Sequence, residues 1–186
     1  MIKSILIIDF GSQYTHLIGR KIRELGLFCE IQPPKYLNSL SVLDNHQALI
    51  LSGGPDSVLS KKSPSLKVDI SKITLPILGI CYGFQYIAHK MGGKIVKKDN
   101  REYGNTTIET LASNILFDNT PRNQTVWMSH GDSLNRLPKN FKIIAKTKNN
   151  IIAAITNNKN IYALQFHPEV THSENGKNIL SNFLFK

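Results

Sequence analysis

Cysteine is scarce in this 186-residue chain: Cys29 and Cys81 could form one bridge at most. That excludes a disulfide-stapled secreted scaffold and points to a reducing compartment, where a free thiol can carry chemistry of its own. No apolar run approaches the roughly 20 residues needed to cross a bilayer. The start, Met1-Ile2-Lys3-Ser4-Ile5-Leu6-Ile7-Ile8-Asp9, lacks a cleavable signal pattern and reads as a buried strand. A cytoplasmic protein without a membrane partner is expected.

Acidic residues are also few, 13 Asp+Glu against 23 Lys+Arg, which leaves a net charge of +10 and a pI near 9.6. Such a balance invites phosphate binding. Arginine, however, is restricted to Arg20, Arg23, Arg101, Arg122 and Arg136, and no aromatic ladder accompanies the densest lysine pairs, Lys61-Lys62 and Lys97-Lys98. A Lys-, Asn- and Ile-rich background accounts for the charge, so no nucleic-acid partner is expected. Repeats, linkers and low-complexity segments are absent as well. The length and the 41% hydrophobic content suit a single domain, residues 1–186, with a core of its own.

What the chain does contain is an alternation of apolar runs and helical patterns. Ile5–Ile8 reads as a strand. Tyr14, Leu17, Ile18, Ile22 and Leu25 then recur at helical spacing, with Ser12 as cap and Gly26 as stop. Strands are expected at Leu27–Ile31, Ala48–Leu51 and Ile77–Ile80, and helices near Ser65–Ser71 and over Phe84–Met91. Beyond Gly93 the pattern changes to short strands at Lys94–Lys97, Thr106–Leu111, Thr125–Met128, Phe141–Thr147, Ile151–Thr156 and Ile161–Phe166. A helix from about Glu174 to Phe185 follows. Strands apolar on both faces and alternating with helices predict an α/β fold, an open, mostly parallel sheet between helical layers with a few antiparallel edge strands.

Three segments carry chemistry. Gly79-Ile80-Cys81-Tyr82-Gly83 lies between an apolar strand and a helix, the setting of a nucleophile elbow. The flanking glycines permit a sharp turn, and a helix N-terminus favours the thiolate of Cys81. Cys29 sits within a strand, without such glycines, and reads as core. A thiol nucleophile needs a base and an orienting group. Gln165-Phe166-His167-Pro168-Glu169, at another strand end, supplies His167 and a carboxylate, Glu169, two residues on. The competing reading of His167, Glu169 and His172 as a metal site fits zinc-ligand spacing poorly, and no metal is expected.

Ser52-Gly53-Gly54-Pro55-Asp56-Ser57 is the third segment, directly after a strand. Its glycines would let exposed backbone N–H groups face a developing oxyanion, with the Tyr82 N–H as second donor. The same letters match the phosphate loop of ATP pyrophosphatases. That loop would normally follow a first strand, and it would leave Cys81 and His167 without a role.

Together these segments resemble the class I (triad) glutamine amidotransferases over essentially the whole chain. Asp9-Phe10-Gly11-Ser12-Gln13-Tyr14, Arg101-Glu102-Tyr103-Gly104 and Trp127-Met128-Ser129-His130-Gly131-Asp132 further resemble the glutaminase part of the GMP synthetases. The resemblance implies that Cys81, His167 and Glu169 form the triad, and that Gly54 and Tyr82 form the oxyanion hole. It implies that Gly53, Gln85, Ser129, Gly131 and Asp132 bind L-glutamine. Ammonia released there would reach an ATP-pyrophosphatase subunit or domain, where ATP and Mg2+ bind and XMP becomes GMP; no cofactor is expected in this domain. Phe84 stands where relatives often have Met. Either a separate glutaminase subunit or a piece of a longer synthetase is compatible with these motifs. The alternatives are service to another synthase, of the anthranilate or aminodeoxychorismate type, and a non-catalytic module of the same fold. Lys97 and Lys98 are expected near a docking surface.

Overall fold

The computed structural model describes residues 3–111 and 113–186, with the side chains of residues 98–102 left undescribed. Met1 and Ile2 of the expected first strand therefore lie outside the described residues. Nine strands form one sheet: β1 (Ser4–Ile8), β2 (Cys29–Gln32), β3 (His46–Leu51), β4 (Ile77–Ile80), β5 (Lys94–Thr110), β6 (Asn123–Arg136), β7 (Lys142–Thr147), β8 (Ile152–Thr156) and β9 (Ile161–Leu164). Their order is β2-β1-β3-β4-β9-β8-β7-β5-β6. From β2 to β9 all neighbours are parallel, and from β9 to β6 all are antiparallel. The fold is the expected α/β type, its parallel half extended by a four-stranded antiparallel wing.

Alternation along the parallel strands builds the layers. Ile5 and Ile7 point to one face with Ile50, Leu78, Ile80 and Leu164, and α1 (Thr15–Glu24) and α3 (Gly176–Phe185) cover them through Ile18, Ile22, Ile179, Leu180 and Phe183. Leu6, Ile8, Leu49, Leu51 and Ile77 point the other way, against Phe84, Ile87 and Ala88 of α2 (Tyr82–Lys90). Each such side chain contributes about 1.5–3 kcal/mol by leaving water, so register is strongly specified: a one-residue slip would exchange the two faces.

Helix α1 stops where expected. Gly26 has φ +82°, its N–H donates to Arg23 O, and the Leu27 N–H donates to Ile22 O, a Schellman closure that needs a left-handed residue. At the other end Tyr14, not Ser12, is the N-cap. Ser12 instead accepts the Tyr14 N–H and shapes the turn before the helix.

Three further expectations differ. The strand expected at Thr125–Met128 runs on as the 14-residue β6, so that Ser129, Gly131 and Asp132 lie on a strand and not on a loop. No helix spans Ser65–Ser71; a single 3-10 turn at Ile70–Lys72 is present. Leu66, Ile70 and Ile73 are spaced like a helical stripe and all are buried, but the Leu66 N–H is taken by the Tyr86 hydroxyl and Asp69 captures the Ser71 N–H. The strands expected at Lys94–Lys97 and Thr106–Leu111 are parts of one 17-residue strand, β5. β6 pairs along both parts, with a register shift between Lys97 and Glu102 absorbing the irregularity.

Candidate active site

Strands β1, β3, β4 and β9 run parallel, so their C-terminal ends share one edge of the sheet, where crevices in α/β folds form. Each ends in one of the segments singled out above. Cys81 follows β4 directly and caps α2, with φ 52° and ψ −101°. This conformation is sterically poor for a residue with a Cβ. Its surroundings impose it. The Cys81 N–H donates to Leu164 O of β9, and the Gly83 N–H donates to Ser52 O after β3. Any Cβ on Gly83 would lie 2.3 Å from Leu51 O, and one on Gly79 would lie 2.6 Å from Gly83 O. The glycines on either side of Cys81 are thus required by close backbone approach.

His167 follows β9. Its Nδ1 lies 2.7 Å from Glu169 Oε1, and both residues are buried. Burial alone would disfavour the imidazolium. The Glu169 charge and its hydrogen bond, aided by the Cys81 thiol, outweigh that and hold the His167 pKa well above its usual 6.5. The Cys81 thiol itself donates to Ser129 O at 3.4 Å.

The loop after β3 places Gly54 within 2.7 Å of Phe10 O, measured from the Cβ it lacks. The Gly54 and Tyr82 N–H groups have no acceptor among the described residues. The Tyr82 side chain is buried and its hydroxyl donates to Pro64 O, engaged within the protein. Gly53 lies beside the imidazole: a Cβ there would be 3.0 Å from His167 Cε1.

A cavity of about 530 Å3 opens over Cys81 and His167, with Gly54, Gln85, Ser129, Gly131 and Asp132 in its wall. Gly53, Tyr82 and Glu169, of the expected site residues, stand behind that wall. Gln85 donates from Nε2 to Asp132 O at 3.0 Å and to Gln165 Oε1 at 3.3 Å, which ties α2 to β6. The Asp132 carboxylate accepts the Ser57 hydroxyl.

Residues 11–14, Pro55, Asp56, Ser57, Lys97, Tyr103 and His130 also line the cavity and were not expected as site residues. Gly11–Tyr14, Tyr103 and His130 belong to segments that carried the family resemblance, which is the signal available for them. Lys97, expected at a docking surface, contributes to the cavity wall; the Lys98 side chain lies outside the described residues.

The competing readings gain nothing from this geometry. Ser52 Oγ accepts the Phe10 N–H and donates to Gly53 O, so the serines of the glycine loop are engaged within the protein. His172 packs on Trp127 with ring centroids 4.7 Å apart. Among the described residues no group of three His, Cys, Asp or Glu is placed to hold a metal, and no helix is long and apolar enough to cross a membrane.

Residues 6–186 match the profile of the glutamine amidotransferase class-I family. Among curated proteins, the glutamine-hydrolysing GMP synthase of Brachyspira hyodysenteriae is 49% identical over 99% of this chain, and that of Fusobacterium nucleatum 46% over 97%. The chain spans 36% of the length of each. A Thermoplasma acidophilum structure, described provisionally as one subunit of GMP synthase, superposes with a TM-score of 0.84 at 32% identity, covering 99% of this chain and 93% of that one. A glutamine amidotransferase from Thermotoga maritima shares the fold, with a TM-score of 0.74 at 22% identity over 91% of this chain and 77% of its own. The chain belongs to the class-I glutamine amidotransferases and corresponds to the amidotransferase portion of GMP synthases.

Proposed function

We propose that residues 1–186 act as one amidotransferase domain that hydrolyses L-glutamine and passes the ammonia to an ATP pyrophosphatase converting XMP to GMP. The observation that carries this reading is Cys81, held at positive φ between β4 and α2, beside a His167 whose Nδ1 is fixed by Glu169. The Cys81 thiolate attacks the side-chain amide carbon, forming a C–S bond while the carbonyl electrons move to oxygen. The Gly54 and Tyr82 N–H groups stabilise that oxyanion; one such donor is worth roughly 10²–10³ in rate. Collapse breaks the C–N bond, and the His167 imidazolium gives its proton to the departing nitrogen, releasing ammonia.

The glutamyl thioester left on Cys81 is attacked by water, whose proton goes to the now neutral His167. Expulsion of the thiolate then releases glutamate and restores the ion pair. Glu169 keeps the imidazole in one tautomer throughout. Asp132, Ser129, Gly131 and Gln85 surround the rest of the substrate. The Gln85 amide nitrogen is engaged with Asp132 O, so its oxygen is the group left for glutamine. ATP and Mg2+ belong to the pyrophosphatase, not to this domain.

Two measurements test the reading. Cys81→Ala abolishes glutamine-dependent GMP formation by the assembled enzyme and leaves ammonia-dependent formation intact; loss of both activities would refute this division of labour. The isolated chain releases glutamate slowly and accelerates when the pyrophosphatase, ATP and XMP are added. Fast hydrolysis that ignores the partner would count against coupling.

A further inference from the structure

The segment Asp9-Phe10-Gly11-Ser12-Gln13-Tyr14 sits at the site, yet no step of the hydrolysis above uses it. Its bonding is local and dense. Asp9 Oδ1 accepts the Gly11 N–H at 2.8 Å and the Thr15 hydroxyl at 2.7 Å. Ser12 Oγ accepts the Tyr14 N–H at 3.0 Å, and Ser12 O accepts the Thr15 N–H at 3.2 Å. These bonds fix the turn between β1 and α1 and present Tyr14 at the start of the helix.

From there the Tyr14 ring meets the His167 imidazole edge-on, with centroids 5.1 Å apart and planes at 76°, a favoured aromatic geometry. The imidazole is enclosed on two other sides. Glu169 holds Nδ1. Gly53 lies so close that a Cβ would be 3.0 Å from His167 Cε1 and 3.3 Å from Ser12 Oγ. Tyr14 thus fills the flank that neither of these covers, and it stands between the main cavity and a second one of about 300 Å3 that reaches Glu169 and Trp127.

An imidazole that first gives a proton and later takes one must keep Nε2 aimed at the reacting atoms through both transfers. The hydrogen bond to Glu169 holds one atom of the ring and leaves it free to swing about that point. We infer that Tyr14 is a positioning residue for His167, its ring stopping this swing, and that the Asp9–Tyr14 turn exists to hold it there. The inference rests on the assignment of Cys81 and His167 in the preceding section. A misplacement of about 1 Å in a reacting group costs up to roughly 100-fold, which sets the scale of the effect.

The test compares the wild-type chain with Tyr14→Leu, which keeps bulk without a ring, Tyr14→Ala and Tyr14→Phe. One readout is the low-field NMR resonance of the His167 Nδ1 proton, identified by its loss in His167→Ala. The other is glutaminase kcat and KM. The resonance is expected to be sharp in the wild type and broadened or lost in Tyr14→Leu and Tyr14→Ala. Their kcat is expected to fall about 10- to 100-fold with KM changed less than about 3-fold. Tyr14→Phe is expected to recover most of both losses.

An unchanged resonance and kcat in Tyr14→Leu and Tyr14→Ala would overturn the inference. So would Tyr14→Phe behaving like Tyr14→Ala, because the hydroxyl and not the ring would then be the working group. Thermal unfolding of each variant separates a local effect from loss of fold: a kcat loss that simply tracks the loss of folded protein also overturns it. The underlying assignment is judged separately, by whether iodoacetamide alkylates Cys81 selectively in the wild type and loses that selectivity in His167→Ala.

Discussion

Cys81 combines a φ of 52° with a ψ of −101°, which costs about 1–3 kcal/mol for a residue carrying a Cβ. The strain lifts the thiol into the cavity, and it makes a prediction about stability. Cys81→Gly is expected to be more stable than Cys81→Ala by about 1 kcal/mol, although glycine has the more disordered unfolded chain. Thermal unfolding of the two variants measures this; an alanine variant at least as stable would mean that the turn stores no strain. The neighbouring His167 makes a second prediction. Its folded pKa lies well above 6.5, so the folded protein holds a proton that the unfolded chain releases near 6.5. The associated stability is complete below that value and is lost as pH rises through the folded pKa. Replacing Glu169 by Gln removes the charge that raises it. The stability gap between wild type and Glu169→Gln, from urea unfolding, should therefore be widest in slightly acid solution and narrow with rising pH. A gap that stays constant from slightly acid to alkaline pH would show His167 neutral in the folded state.

At the scale of elements, helix α3 is coupled to the site through its first residue. A Cβ on Gly176 would fall 1.8 Å from Pro168 O, so the helix start rests on the carbonyl of the residue between His167 and Glu169. Gly176→Ala is expected to destabilise by more than the usual 1–3 kcal/mol of overpacking and to lower glutamine hydrolysis in the protein that remains folded. A variant of wild-type stability and activity would show the loop free to yield. This contact also illustrates what can be read in advance. The elbow at Cys81 was legible because glycine, strand and helix signals fall within a few consecutive residues, and the strand ends carrying Ser52–Ser57 and His167–Glu169 were legible for the same reason. Gly176 against Pro168, Ser57 on Asp132 and Tyr14 on His167 leave no such trace, because each joins segments that only the sheet order brings together. The stripe of Leu66, Ile70 and Ile73 misled in the opposite sense. Its period is helical, but Asp69 and the Tyr86 hydroxyl take the backbone donors that a helix would need. In β5 the irregular middle reads locally as a connection, whereas pairing with β6 resumes at Glu102 after the register shift, and cross-strand pairing is a tertiary fact.

Across the whole molecule, the site lies where two unlike halves meet. Cys81, His167 and Gly54 stand on the parallel strands, whose two faces are covered by α1 and α3 on one side and α2 on the other. Ser129, Gly131 and Asp132 belong to β6, which pairs with β5 alone, and β5 joins the rest of the sheet through Ile108, Glu109 and Thr110 against β7. Alternate residues along Thr125–Gly131 of β6 in this ribbon are half-buried, whereas β1, β4 and β9 are buried throughout, and local opening is cheapest where the least new surface is exposed. Amide hydrogen exchange should therefore rank the halves: β1, β3, β4 and β9 slowest, near the global unfolding free energy, and Tyr103–Thr107 with Val126–Asp132 several-fold to many-fold faster. Both halves line the same cavity, so a ligand held in it would touch both. A glutamine analogue that alkylates Cys81 should slow exchange over Ser129–Asp132 strongly while leaving β1 and β3 unchanged. Equal exchange in both halves would make the protein a single cooperative unit. Ribbon exchange indifferent to the alkylated analogue would remove β6 from the glutamine site, leaving the triad to be judged by its own variants.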